Sequence, residues 1–333
     1  MKIRNLLQDG MAFGDTAVVH GLGMIELISL DQMDLPLISM LEEALGKGDV
    51  SVSEISEGGQ VPFLQVENEG QNPVLILEGE ELVGGKQNRI VNTTILVPVG
   101  SVIKIPVSCV ESGRWDNRRH DFDSGLALFT ARSRAVQKES VTASLRQRGT
   151  FQSDQRAVWN EVGESLNQLG VSSETSDFRA GRQTVAHKIE EFVAAVRPSE
   201  RQVGAVFLSP DGILGCELLA TPELFRRCVE KIVRSFAFEV LSMPDYVQTA
   251  ENGSARWWES VLDSAITTHR SPGAGHDIRL QNAEIVGSGL QLYDRLLHLS
   301  CFPIIGARKN GHRSSNRRAT VSERRRRMSG DKD

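Results

Sequence analysis

The sequence predicts an α+β fold with an antiparallel, β-rich N-terminal half, a helical middle, and a C-terminal part made of a hairpin, a helix and late strands. Three observations predict it. Runs rich in Val and Ile, separated by Gly, Pro and Asn, fill residues 17–127. Residues 128–197 show helical spacing, and residues 202–303 return to strands around one helix. Because several β runs follow one another without helices between them, antiparallel pairing is favoured.

In the N-terminal half, one stretch departs from the strand pattern. LPLISMLEEALGKGD has helical spacing and a glycine stop, so it predicts a helix. Residues 74–107 have a rhythm similar to that of a cupin, which predicts a cupin-like barrel or a sandwich. A metal-dependent cupin needs clustered histidines, and this stretch contains none. The strand-like runs are TAVVHGLGMIELISL, VSVSEIS, VPFLQVEN, PVLILEGE, RIVNTTILVPV and SVIKIPVSCVE.

In the middle and the C-terminal part of the chain, helix caps, helix stops and turn residues predict the positions of the helices and strands. DQRAVWNEVGESLNQLG predicts an amphipathic helix, with Asp154 as its cap and Gly170 as its stop. FTARSRAVQKESVTASLRQ has charged and polar residues spaced for a surface helix, and TSDFRAGRQTVAHKIEEFVAAV continues the helical pattern. QVGAVFLSPDGILGCELLA predicts a hairpin turning at Pro-Asp-Gly. TPELFRRCVEKIVRSFAFEVL and WWESVLDSAI predict helices, and IVGSGLQLYDRLLHLSCFP one or two strands.

Composition is that of an ordinary globular chain, with 40% apolar and 24% charged residues among 333. No apolar run approaches the ~20 residues that span a bilayer, and MKIRNLLQDG lacks the features of a signal peptide. A cytoplasmic location is therefore expected. The four cysteines are widely spaced and form no CxxC pair, so we expect reduced, mostly buried thiols. They are Cys109, Cys216, Cys228 and Cys301.

Charge is distributed unevenly along the chain. Residues 307–333 carry ten Lys or Arg and three Asp or Glu, a net charge of +7 within a chain of net −5, so the other 306 residues carry −12. This segment has almost no large apolar residues, which predicts a basic disordered tail after one domain at 1–306. The tail is either a contact for nucleic acid or an acidic partner, or a solvated extension.

The segment richest in polar side chains among β-branched runs is 78–115, EGEELVGGKQNRIVNTTILVPVGSVIKIPVSCVESGRW. Gly84 and Gly85 can bring backbone amides close to an anion, and Lys86 and Arg89 add positive charge, which suits a phosphate or carboxylate. The alternative is an internal ion-pair network in which Glu80 and Glu81 pair with Lys86 and Arg89 and fix a loop. The P-loop pattern is absent. The candidate ligand-binding residues are Lys86, Gln87, Asn88, Arg89, Asn92, Arg114 and Trp115.

Two carboxylates in this segment, Glu81 and Glu111, are the candidate catalytic groups, because a buried carboxyl beside a substrate can act as a general acid or base. Arg114 suits a phosphate, and Trp115 suits stacking on a planar base. The alternative to a ligand site is a structural one, in which Glu111 pairs with Arg114 and Trp115 covers an edge of the core. HExxH and GxSxG are absent, so zincin and serine-hydrolase chemistry lose support. No cofactor is expected, with Mg²⁺ left open as a companion of a phosphate ligand.

The strings GGKQNR and VSCVESGRW, within VPFLQVENEG through ESGRW, resemble the ARPP domain family. The name stands for ARG and rhodanese-phosphatase-superfamily-associated protein, where ARG is an ADP-ribosylglycohydrolase. The resemblance continues through RSRAVQKESVTASL, QRAVW and VGAVFLSPDGILGCELLATPELF, and covers most of residues 10–303. It implies an α+β domain associated with NAD-derived or ADP-ribose-like nucleotides.

Two functions follow from these observations. The first is a domain that binds or processes a phosphorylated nucleotide, such as an NAD- or ADP-ribose-derived ligand. The second is a non-enzymatic scaffold or partner-recognition module, with the basic tail at 307–333 as a contact for nucleic acid. No membrane partner is expected.

Overall fold

The computed structural model describes residues 1–7, 10–30, 35–55, 62–111, 121–171, 177–241, 243 and 251–304. Within them, strands and helices mix as predicted, which confirms the α+β class. The strands are β1 (Met11–Val19), β2 (Leu22–Ser29), β3 (Ser39–Met40), β4 (Val50–Glu54), β5 (Phe63–Asn68), β6 (Val74–Ile76), β7 (Glu80–Gly84), β8 (Arg89–Val91), β9 (Ile95–Val97), β10 (Ser101–Cys109), β11 (Phe122–Leu128), β12 (Gln202–Ser209), β13 (Gly212–Leu219), β14 (Ile266–Arg270), β15 (His276–Gln281), β16 (Ile285–Leu292) and β17 (Arg295–Pro303).

The helices fall where their patterns predict them, with most of them in the middle of the chain. Asp154 caps α3 by accepting hydrogen bonds from the N–H groups of Arg156 and Ala157, and Gly170 ends it in the left-handed conformation. A short 3-10 helix, Ile3–Leu6, precedes β1. The α-helices are α1 (Leu41–Lys47), α2 (Ala131–Arg148), α3 (Gln155–Leu169), α4 (Phe178–Thr184), α5 (Ala186–Ala195), α6 (Pro222–Val240) and α7 (Glu251–Leu262).

The largest sheet has eight strands in the order β1-β2-β12-β13-β17-β16-β15-β14, and all neighbours are antiparallel. It joins the first hairpin of the chain to strands from the C-terminal third, a pairing that local sequence patterns do not predict. Helix α6 packs on one face, where the rings of Phe207 and Phe236 stack with centroids 3.9 Å apart. The opposite face packs against Trp257 and Trp258 of α7.

The second sheet has six antiparallel strands in the order β11-β7-β8-β10-β5-β4. Its two edge strands approach each other through the bridge between Ser53 and Asp121, so the sheet curls into a barrel-like form around an apolar core. A small sheet of order β3-β6-β9 lies beside it, and β3 pairs with β6 in parallel. The antiparallel, β-rich N-terminal half is therefore confirmed apart from that one parallel pair.

All four cysteines are free and buried, as predicted. No helix within the described residues is long and apolar enough to cross a membrane. The tail from 307 to 333 lies outside the described residues.

Candidate functional site

Residues 86–89 lie close to Glu111, as we expect when one short turn at 98–101 joins the strands that carry them. β8 lies between β7 and β10, with Arg89 opposite Cys109. The Gln87 side chain donates a hydrogen bond to the carbonyl of Glu111 (2.8 Å), and the Asn88 N–H donates to the Glu111 carboxylate (3.3 Å). Arg114 and Trp115 lie outside the described residues. The proximity of residues 86–89 to Glu111 is thus confirmed.

These side chains are buried and bonded mainly to one another rather than spread along an open cleft. Arg89 is fully buried, and its Nη1 donates to Gln87 Oε1 (2.9 Å) and to Cys109 Sγ (2.7 Å). Its Nη2 lies 3.5 Å from Glu54 Oε1, and neither Nε nor Nη2 makes a hydrogen bond to any described residue. Burial raises the pKa of the Cys109 thiol, although Arg89 acts in the opposite direction. Cys109 therefore stays protonated at neutral pH.

The glycine pair between β7 and β8 serves the strand connection. A Cβ on Gly85 would meet the ring of Phe122, and Gly85 has φ of 47°, so glycine is required there by space and by conformation. The Gly84 N–H donates to Asn88 Oδ1 (3.3 Å), and the Gly85 N–H donates to a carbonyl of Asp121 (3.4 Å). The expectation that these amides hold an anion is wrong in this conformation, because they are already bonded within the protein.

Asn92 lies apart from the other predicted ligand residues. Its Nδ2 donates to the carbonyl of Phe151 (2.9 Å), and its Oδ1 accepts from Gln137 Nε2 (2.9 Å) and Ser108 Oγ (2.6 Å). Lys86 is half-buried, and its N–H donates to Glu54 Oε1 (3.4 Å). Asn92 therefore belongs to a different polar group, with Ser108 and Gln137.

Another polar group, here called the interior network, is centred on Glu78. Its carboxylate pairs with Lys138 Nζ, accepts from Ser300 Oγ (3.1 Å) and lies 3.6 Å from Arg134 Nη2. Burial alone would raise the pKa of Glu78, but Lys138 and Arg134 lower it to about 2. The remaining members of the interior network are Thr93, Thr94, Glu217, Asp277, Arg279, Ser288 and His298, which are all nearly or fully buried.

The interior network continues through an ion pair and two hydrogen bonds. Arg134 Nη1 lies 2.6 Å from Glu217 Oε1, the other oxygen of Glu217 lies 2.9 Å from His298 Nε2, and His298 Nδ1 lies 2.8 Å from Thr94 Oγ1. Sequence reasoning missed this network. The available signals were two cations four residues apart on α2 and the polar side chains His298 and Ser300 at alternate positions of β17.

Glu81, a candidate catalytic residue, has a partner that the sequence did not predict. Its carboxylate pairs with Arg182 of α4, while Glu80 pairs with Lys231 of α6 (2.9 Å). The alternative network with Lys86 and Arg89 is therefore wrong for both glutamates. Glu81 is fully buried, and its Oε1 has no hydrogen-bond partner among the described residues. Burial raises the pKa of Glu81, although Arg182 lowers it.

Gly125 packs against the Glu81 carboxyl and also lines a surface pocket. A Cβ at Gly125 would overlap Glu81 Oε2 and lie 2.8 Å from Glu81 Cδ. Gly125 itself lines a pocket of about 210 Å³, here called the arginine pocket. Sequence reasoning missed its three arginines, although two of them lie three residues apart in DFRAGRQT. The pocket is lined by Gly125, Leu126, Arg179, Arg182, Gln183, Ala186, Ile189, Glu190 and Arg234.

Asn88 and Glu111 of the 78–115 segment are connected to the arginine pocket through α4. Asp177 caps this helix by accepting from the N–H of Arg179 (3.0 Å), and Asp177 also accepts from Asn88 Nδ2 (3.3 Å) and bridges to Glu111 through the backbone. Asn88 and Glu111 thus fix the start of the helix that carries Arg179 and Arg182. Their observed contacts position α4 and do not line the pocket.

The fold and this site define an α+β domain in which a buried carboxyl stands behind a cationic pocket. The chain belongs to the ARPP-1 family, the ARG and Rhodanese-Phosphatase-superfamily-associated Protein domain, whose model matches residues 10–302. The resemblance drawn from the sequence is thereby confirmed. No curated protein and no solved structure matches the chain. In the described ranges, no group of three or more His, Cys, Asp or Glu side chains is arranged to hold a metal ion.

Proposed function

We propose that the chain binds a phosphorylated ligand, such as an NAD- or ADP-ribose-derived nucleotide, with a phosphate group in the arginine pocket. The observation that carries the proposal is the convergence of Arg179, Arg182 and Arg234 on one cavity beside the buried Glu81. Guanidinium groups are planar, permanently charged donors whose geometry matches phosphate oxygens.

The charges of the pocket favour an anion. The residues that line the pocket include three guanidiniums, of Arg179, Arg182 and Arg234, and one carboxylate, of Glu190. Arg234 pairs with Glu190 (2.8 Å) and with Glu230 (3.3 Å), and Arg182 pairs with Glu81. The pocket volume of about 210 Å³ is smaller than the ~300 Å³ of a typical small-molecule site, so one phosphate-bearing end of a nucleotide enters it. Leu126, exposed to 56%, offers apolar surface at the rim for a ribose or base.

The test is calorimetric titration of the protein with ADP-ribose, NAD and AMP at moderate salt. Arg182→Gln is the test variant, and Arg226→Gln is the matched control, because Arg226 is an exposed arginine on α6 paired with Glu223 (3.0 Å). Loss of a charge-assisted hydrogen bond costs about 1.5–3 kcal/mol, so Arg182→Gln weakens binding roughly 10- to 100-fold. The control keeps wild-type affinity. Equal affinity of wild type and Arg182→Gln refutes the assignment of the pocket.

The alternative function is a non-enzymatic scaffold or partner-recognition module. It is favoured by the burial and mutual bonding of Gln87, Asn88, Arg89 and Glu111, which is how a structural cluster behaves. On this alternative, none of the nucleotides raises the melting temperature, since only a ligand of the folded state does so. Binding of nucleic acid or of an acidic partner then depends on residues 307–333 and falls steeply with salt.

A further inference from the structure

We propose that binding of an anion in the arginine pocket is coupled to the uptake of one proton by Glu81. The inference rests on the proposed function and adds a pH dependence to the same site. Its basis is that the Arg182 side chain contacts the Glu81 carboxylate through Nη2 and also lines the pocket. Glu81 and an anion in the pocket would therefore share the same guanidinium.

Glu81 has few means of keeping its charge once Arg182 turns to a ligand. Its carboxyl is fully buried, its Oε1 has no hydrogen-bond partner among the described residues, and burial already raises its pKa. A carboxylate in such surroundings is neutralised by a proton rather than left as an isolated buried charge.

The groups that face Glu81 from neighbouring elements are two arginines, one carboxylate and uncharged residues. From α4, Arg182 and Arg179 favour the charged carboxylate and Asp177 opposes it. From β11, the uncharged backbone of Gly125 packs against it, and from β8 the apolar Ile90 lies opposite it. Both arginines line the pocket, so a bound anion offsets the two cations that hold Glu81 ionised.

The proton balance fixes the sign of the pH dependence. In the complex, Glu81 passes from carboxylate to carboxylic acid by taking one proton from solvent, and no covalent bond to the ligand forms. Because binding takes up a proton, affinity falls as pH rises above the pKa of Glu81 in the free protein. Below that pKa the proton is already in place, and affinity becomes independent of pH.

The experiment is calorimetry with ADP-ribose at pH 7.5 in two buffers of different ionisation enthalpy, HEPES and Tris. The diphosphate of ADP-ribose does not titrate near this pH, so any proton taken up belongs to the protein. The difference in observed enthalpy between the two buffers should correspond to about one proton per bound ligand. This comparison uses the wild-type chain and needs no variant.

Two glutamine variants sharpen the test. Glu81→Gln imitates the protonated acid, so it should bind ADP-ribose without proton uptake and, at pH 8, several-fold more tightly than the wild type does. Glu223→Gln, an exposed carboxylate on α6 outside the pocket, should keep the wild-type proton uptake. Tighter binding after a substitution behind the pocket is a result that a purely structural role for Glu81 does not give.

The outcomes separate this inference from the function on which it rests. Binding of ADP-ribose by the wild type with equal enthalpy in both buffers overturns the coupling and leaves the pocket standing. Proton uptake that persists in Glu81→Gln overturns the assignment to Glu81. Absence of binding by ADP-ribose, by AMP and by inorganic pyrophosphate overturns the proposed function and the coupling together.

Discussion

Replacing Glu78 by glutamine removes the negative charge at the centre of the interior network. The lysine and arginine that pair with Glu78 hold its pKa at about 2, against an ordinary value of 4.5. That difference corresponds to about 3 kcal/mol of preference for the ionised form. Because the substitution also leaves Lys138 and Arg134 with less compensating charge, we expect Glu78→Gln to lower the free energy of unfolding by about 3–5 kcal/mol at pH 7.

The pH dependence identifies the cause of that loss. A carboxyl with a depressed folded-state pKa stabilises the protein above its unfolded pKa, and this contribution is lost as pH falls from about 4.5 towards 2. The difference between wild type and Glu78→Gln should therefore be full at pH 7 and should shrink by about 3 kcal/mol at pH 2. Other carboxyls titrate in both proteins and cancel in the difference.

Urea unfolding at a series of pH values measures this difference, provided that the two proteins have equal m-values. Glu223→Gln is the matched control, because its carboxylate is 64% exposed and its pair with Arg226 contributes little. A destabilisation of Glu78→Gln that is as large at pH 2 as at pH 7 would refute the ion-pair reasoning. In that case packing around the side chain, and not its charge, would cause the loss.

Three further predictions concern the pocket, the tail and metals. Gly125→Ala should lower the free energy of unfolding by about 1–3 kcal/mol and weaken ADP-ribose binding, because the new Cβ would overlap the Glu81 carboxyl. Urea unfolding measures the first effect and calorimetric titration the second. Gly163→Ala is the control, because a Cβ at Gly163 meets nothing within 4 Å. Deleting residues 307–333 should leave the melting temperature unchanged, and a large drop would show that the tail packs on the domain. Elemental analysis of chelator-treated protein should find no stoichiometric transition metal, because histidines and cysteines are scattered in the sequence. One tightly held zinc or iron per chain would contradict the last expectation.

Local sequence signals predicted the elements that depend on local chemistry. The Asp154 cap and the Gly170 stop placed α3, and the short turn after β9 placed β8 beside β10. The pairing of β2 with β12 was not predictable in this way, because it joins segments about 175 residues apart and leaves no mark on the periodicity of either strand. Tertiary pairing of this kind has to be read from the folded chain.

The charged interior was missed for a related reason. Helix α2 has no amphipathic pattern, and Arg134 and Lys138 suggested a solvent-facing side although both are fully buried. Such residues are buried only because Glu78 and Glu217 arrive from distant parts of the chain to pair with them. Composition within a single helix cannot show that its partners exist.

The polar density of the 78–115 segment predicted a ligand site, and the structure shows that its described polar side chains are bonded within the protein. Buried polar groups must find partners, so a segment rich in amides and charges marks a place where the fold depends on directed hydrogen bonds. Here Asn88 bonds to Asp177, Asp177 caps α4, and α4 presents Arg182 both to Glu81 and to the pocket. A short shift of α4 would therefore move the cation that the ligand and Glu81 share. The predicted residues and the arginine pocket are two ends of one hydrogen-bonded arrangement, and perturbation of either end should be felt at the other.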